Sequence, residues 1–157
     1  MLRRSGLKHV TKTLIMLCAE FPMLCFDQAT QRLVLGSGRD IVIYDLRMAT
    51  KWRVLHGHQA AVSAVAVFST AATSASQFEV ASYSAREHAV FAWNVNGGFF
   101  GSFLGTEGSV ARKVTLPWLG ACGDAEIIRH CSLTWISPKA VQLRREDGSV
   151  IGSILMI

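Results

Sequence analysis

Two places in this chain set a histidine where it could do chemistry. His56 and His58 form an H-x-H pair, a spacing that can present two imidazoles to one metal ion. No third ligand stands at a supporting distance, so a zinc site would be only half built. His130 precedes Cys131, the residue types of a thiol nucleophile and its base. No orienting acid accompanies them, and the pair reads as a surface histidine beside a core cysteine. The chain has no G-x-S-x-G, no P-loop and no G-x-G-x-x-G; Gly36-Ser37-Gly38 lacks the third glycine and the helix that would follow. Cys18, Cys25, Cys122 and Cys131 contain no C-x-x-C pair, and they read as reduced, mostly buried thiols rather than a disulfide framework. These residues predict no enzyme, no metal and no cofactor.

A second constellation is more specific. Gly57-His58 followed by Trp93-Asn94 has the spacing of a WD repeat, the four-stranded unit of β-propellers. Ile41-Val42-Ile43-Tyr44-Asp45 closes an earlier segment of the same kind, with Tyr44-Asp45 where Trp-Asp would stand. In such a unit the histidine bonds an acid in the turn between the second and third strands, and the tryptophan completes the network. A buried imidazole is thereby satisfied. Here the acid is Glu87, a methylene longer than aspartate, which predicts a looser network. The candidate structural residues are therefore His58, Glu87 and Trp93, with Tyr44 and Asp45 as their counterparts one repeat earlier. The earlier position matching Glu87 is Gly38, so that segment is expected to lack the network.

The elements that must position these residues are short strands. Leu24–Phe26, Arg32–Leu35, Ile41–Tyr44 and Trp52–Leu55 are rich in β-branched and aromatic residues, with turn-forming stretches between them. Ala61–Phe68, Phe78–Tyr83, Ala89–Trp93 and Phe99–Leu104 make a second set. The run from Ser69 to Gln77 is a low-complexity surface insertion between the first two. Past Gly105 the repeat signals fade, and Gly105–Ser109 and Gly120–Glu126 read as loops. Trp118 and Leu119, after Pro117, form an apolar spot that either docks a partner or packs on the preceding unit. Cys131–Ile136, Ala140–Arg144 and Val150–Met156 then read as terminal hairpins, with Asp147-Gly148 as a two-residue type I′ turn. The expected architecture is all-β: an incomplete WD-repeat β-propeller of two four-stranded blades and a terminal hairpin set. Its organisation is a lead segment over 1–19, blades over 20–104, a linker region with a strand over 105–130 and hairpins over 131–157.

Half of the 157 residues are hydrophobic and 17% are charged, an apolar excess that predicts surface destined for burial against something else. The formal net charge of +5 is concentrated at the start, since Arg3, Arg4, Lys8 and Lys12 all precede the first acid, Glu20. The body lacks the basic stripe with stacking aromatics that nucleic-acid binding requires. Leu7, Val10, Leu14 and Leu17 recur at helical spacing, which predicts a short amphipathic helix packing on a neighbour. A basic, acid-free segment also suits a cleaved mitochondrial presequence, and both readings stand. The apolar run Leu14–Ala19 is too short to span a bilayer.

The residues also carry a family likeness. Phe21-Pro22, Arg32-Leu33-Val34-Leu35-Gly36 and Val42-Ile43-Tyr44-Asp45-Leu46-Arg47 resemble the C-terminal region of the rabconnectin-3 beta subunit family of large WD-repeat proteins. The likeness continues through His56-Gly57-His58, Ala64-Val65-Ala66-Val67-Phe68 and Ala81-Ser82-Tyr83-Ser84 to Leu133-Thr134-Trp135-Ile136, Val141-Gln142-Leu143 and Asp147-Gly148. It covers the chain from about Glu20 onward. The resemblance implies a cytoplasmic scaffold, peripheral to endosomal or vesicle membranes, that acts with a second large WD-repeat subunit. It also implies a part in assembly of the vacuolar proton pump (V-ATPase) through the pump's peripheral sector, and hence in vesicle acidification. Two or three blades cannot close a ring, so the chain is expected to be part of a longer protein or complex.

Overall fold

The computed structural model describes residues 4–70, 77–95, 109–116 and 131–156. A helix, α1 (Arg4–Glu20), leads into three antiparallel sheets taken in chain order. The first holds β1 (Leu24–Asp27), β2 (Arg32–Ser37), β3 (Asp40–Asp45) and β4 (Thr50–His56). The second holds β5 (Ala64–Thr70), β6 (Gln77–Ser84), β7 (Ala89–Asn94) and β8 (Ser109–Thr115). The third holds β9 (Ser132–Ser137), β10 (Ala140–Arg144) and β11 (Val150–Leu155). Each sheet is a meander with sequential strand order, and none closes on itself.

The second sheet is the middle layer. Strand side chains alternate between faces, and here both faces are apolar. Val65, Val80, Phe91 and Trp93 pack towards the first sheet, against Val34, Ile41, Ile43 and Leu55. Ala64, Ala66, Ala81, Tyr83, Val90 and Ala92 pack towards the third, against Leu133, Val141, Leu143, Ile154 and Met156. Burying each large side chain in these layers contributes roughly 2–3 kcal/mol. The run Ala89–Trp93 is continuously apolar because neither of its faces meets water.

The first strands of the sheets, β1, β5 and β9, are neighbours in that order. Polar ties hold them: the Val65 amide donates to the Pro22 carbonyl (2.9 Å), Ser69 Oγ to Asp27 Oδ1 (3.0 Å), and Trp135 Nε1 to the Ala66 carbonyl (3.2 Å). On β8, Arg112 pairs with Glu79 and donates to the Met156 carbonyl, tying the second sheet to the end of the third.

Three hairpins share one device. Asp27 pairs with Arg32, Asp45 with Thr50 and Ser84 with Ala89, leaving a connection of the same length each time. Its last residue, Gln31, Ala49 or His88, takes a left-handed φ of 57°, 51° or 48°. Neither glutamine nor alanine advertises that conformation.

Several expectations are corrected. The fourth strand of the second sheet is Ser109–Thr115, within the expected linker; its Val114 pairs with Val90 and packs on the core between the second and third sheets. Phe99–Leu104, Trp118, the Gly120–Glu126 loop and most of the Ser69–Gln77 insertion lie outside the described residues. β5 begins at Ala64, because the Val62 and Ser63 amides instead donate to the Gly38 and Tyr83 carbonyls. The last hairpin is not a two-residue type I′ turn. Only Gly148 has positive φ (86°), the Gly148 amide donates to the Arg145 carbonyl, and Arg145 and Ser149 close the loop, a type I turn followed by a left-handed glycine.

Candidate functional site

His58 sits in the irregular connection between β4 and β5, with its imidazole wholly enclosed. The ring stacks on Phe91, centroids 4.0 Å apart and planes 17° from parallel. Nδ1 lies 2.6 Å from Glu87 Oε2 in the β6–β7 turn, and Nε2 lies 2.7 Å from Ser82 Oγ on β6. Trp93 Nε1, on β7, stands 2.8 Å from the same hydroxyl.

Donor and acceptor capacities fix the direction of this chain of bonds. An ionised Glu87 can only accept, so Nδ1 of the neutral imidazole donates to it and Nε2 must accept; Ser82 O–H therefore donates to Nε2, while Ser82 Oγ accepts from the Trp93 indole N–H. The imidazole proton thus sits on Nδ1. Burial pushes the His58 imidazole below its ordinary value, against the hydrogen bond and charge of Glu87. Burial also opposes ionisation of Glu87, yet the Gln59 and Ala60 amides and His58 together hold its carboxyl below the usual range. A neutral imidazole facing a carboxylate is the state these shifts favour. The expected looseness from the extra methylene does not appear, since the longer arm is taken up by the three donors around it.

The sequence reading overlooked Ser82. Its signal was a hydroxyl at an inward position of an apolar strand, in register with Val65 and Phe91. Tyr44 and Asp45 are not brought to this network. They lie in the first sheet, where Asp45 Oδ1 accepts from the Arg47 and Met48 amides (3.0 and 3.3 Å) and caps the β3–β4 turn.

A comparison of the chain with models of known protein families gives no match, and a comparison with curated proteins gives none either. The site therefore has to be read from its own geometry. His56 and His58 do not converge: His56 is exposed and bonds Asp40 across the β3–β4 pair at 2.8 Å, while His58 is enclosed. Among the described residues no group of three or more histidine, cysteine or acidic side chains could hold a metal ion. His130 lies outside the described residues, and burial raises the Cys131 thiol pKa. Burial likewise raises the Cys18 thiol, and pushes that of Cys25 up to about 11. Such thiols stay protonated at neutral pH and are poor nucleophiles. Among the described residues no helix is long and apolar enough to cross a membrane.

Trp93, Ser82, His58 and Glu87 thus form a linear chain of hydrogen bonds at the middle sheet. It joins β6, β7, their turn and the connection from the first sheet. Its donors are matched to acceptors, and it ties the β4–β5 connection to the second sheet.

Proposed function

We propose that this chain is a non-catalytic WD-repeat scaffold segment, part of an incomplete β-propeller that serves protein–protein interaction. The observation that carries the reading is the Trp93–Ser82–His58–Glu87 network, a structural use of residue types that could otherwise be taken for chemistry. Support comes also from the first sheet. Leu24, Leu35, Val42 and Val54 align across its four strands, with Phe26, Leu33 and Tyr44 beside them, on the face turned away from the second sheet. These side chains are only half-buried, whereas both faces of the second sheet are covered. A further sheet on that face would continue the stacking already present.

In the setting that the rabconnectin-3 beta resemblance implies, the scaffold is cytoplasmic and peripheral to endosomal or vesicle membranes. Its partners are a second large WD-repeat subunit and the peripheral sector of the vacuolar proton pump, and it requires no cofactor. Size-exclusion chromatography with light scattering tests this on the chain alone and with that sector. A chain that self-associates alone and forms a defined complex with the sector is the expected result. A stable monomer that ignores the sector overturns the reading.

A further inference from the structure

We propose that β11 is a self-pairing edge: two copies of this chain join their third sheets through antiparallel β11 strands, about a two-fold axis at Ser153. The scaffold reading turns on the outer face of the first sheet. This contact lies on the other side of the middle sheet and stands apart from that reading.

The third sheet stops one strand short. The first two sheets have four strands each and the third has three, in the order β11-β10-β9. β9 lies against β5, so β11 is left at the outer edge, and among the described residues no strand pairs with its far side. The Met156 amide donates to the Lys139 carbonyl. Ladder bonds alternate between the two sides of a strand, so Gly152 and Ile154 bond to β10 while the backbone groups of Ser153 and Leu155 turn away from it.

The edge is also unguarded. A free edge is ordinarily blunted by a charge or a proline, and Val150–Leu155 (VIGSIL) has neither. Val150 is 47% exposed and Leu155 65%. The outer face of the sheet, by contrast, carries a polar row of Thr134, Gln142 and Ser153, and Gln142 Nε2 donates to Ser153 Oγ. What the sheet leaves open is its edge, a row of backbone groups and two apolar side chains of the kind that an added strand covers.

The strand is its own complement. Two-fold pairing needs outward groups opposite outward groups. An axis at Ser153 meets this condition, since each Ser153 then exchanges two amide–carbonyl bonds with its counterpart, and Leu155 falls beside the second copy's Ile151. No charge on β11 opposes the approach. An antiparallel copy also brings its Lys139, next to Met156, towards the turn that carries Glu146 and Asp147. Arg145 is the one basic residue of that turn, because Arg144 is drawn to Gln142 on β10. A strand of another protein would have to match a pattern that β11 already matches by itself.

The test is light scattering of the full chain over a dilution series, with hydrogen exchange read by mass spectrometry at both ends of it. The expected result is a dimer that dissociates on dilution, with the amides of β11 exchanging more slowly in the dimer. Ser153→Pro removes an outward amide, which an edge strand can give up and still fold. It should raise the dissociation constant about ten-fold or more, since each dimer loses two ladder bonds. Ser153→Ala keeps the amide and should leave the dimer intact, as should Val42→Lys on the outer face of the first sheet. A chain that is monomeric at every concentration, a dimer that Val42→Lys dissociates, or β11 amides that exchange equally fast in dimer and monomer overturns the proposal. A monomer that still binds the pump's peripheral sector overturns this pairing alone and leaves the scaffold reading standing.

Discussion

His58 and Ser82, 24 residues apart in the chain, meet at 2.7 Å inside the middle sheet, and the serine hydroxyl connects the imidazole to the indole of Trp93. Ser82→Ala should therefore cost more than the loss of one small polar group. It strands the Trp93 N–H and His58 Nε2 together in a buried site. The expected destabilisation is roughly 2–4 kcal/mol, read from the urea midpoint. Ser82→Thr keeps the hydroxyl and should recover most of it. If Ser82→Ala unfolds at the same urea concentration as the parent chain, the hydroxyl does not connect the network.

The same network sets a pH dependence. In the unfolded chain His58 takes up a proton near 6.5, whereas the folded imidazole is held below that value by burial. Acid therefore favours the unfolded state, and stability falls as pH drops from about 6.5 to the folded value. Glu87, whose folded carboxyl lies below its ordinary 4.5, adds stability above that pH that is lost as pH falls through the folded value. Glu87→Gln should abolish the lower step and deepen the upper one, because the neutral amide no longer favours the imidazolium. Urea unfolding at a series of pH values reads both steps. A stability profile flat from pH 7 to 4 would contradict the assignment.

Gly36 predicts a packing penalty. A Cβ there would stand 3.0 Å from Val62 Cγ1 and 3.2 Å from Val62 Cβ, where the β4–β5 connection crosses the first sheet. Gly36→Ala should cost about 1–3 kcal/mol, and pairing it with Val62→Ala should restore part of that. Additive losses in the double variant would show that the contact is not the cause.

Ala49 predicts the opposite sign. It is exposed and holds a left-handed φ of 51° before β4. Ala49→Gly removes the Cβ strain at some entropic cost and should stabilise by about 0.5–1 kcal/mol. A lower thermal midpoint in this variant would mean the turn relaxes some other way.

The thiols offer a chemical check. Cys25 and Cys131 should alkylate with iodoacetamide at pH 7 at least about ten-fold more slowly in the folded chain than in urea, as expected for buried, protonated thiols. Mass spectrometry of digested samples reads each site. Rapid labelling of Cys131 in the folded chain would reopen a nucleophilic role.

Much of the first sheet was legible in the sequence. Leu24–Phe26, Arg32–Leu35, Ile41–Tyr44 and Trp52–Leu55 each sit inside an observed strand, because short runs of β-branched, leucine and aromatic residues between turn residues are a local signal. The terminal strand Ala140–Arg144 was legible for the same reason. The meeting of His58 with Glu87 followed from spacing, but Ser82 did not, since one hydroxyl in an apolar strand has no neighbour in sequence that marks it as a relay. The left-handed Gln31, Ala49 and His88 were likewise hidden. Their φ values are imposed by the pairing of the strands on either side, not by their own preferences. The fourth strand of the second sheet was misplaced because strand propensity at Phe99–Leu104 says nothing about which segment reaches the open edge of β7; the register there goes to Ser109–Thr115. The direction of α1 is the clearest division. Its residues determined that a helix with an apolar row would form, a matter of local backbone and spacing. Only the tertiary structure decided which side meets the sheets, because that depends on what the other elements leave open. Here Leu14 and Cys18 are half-buried, while Val10, Ile15, Met16 and Leu17 are left exposed.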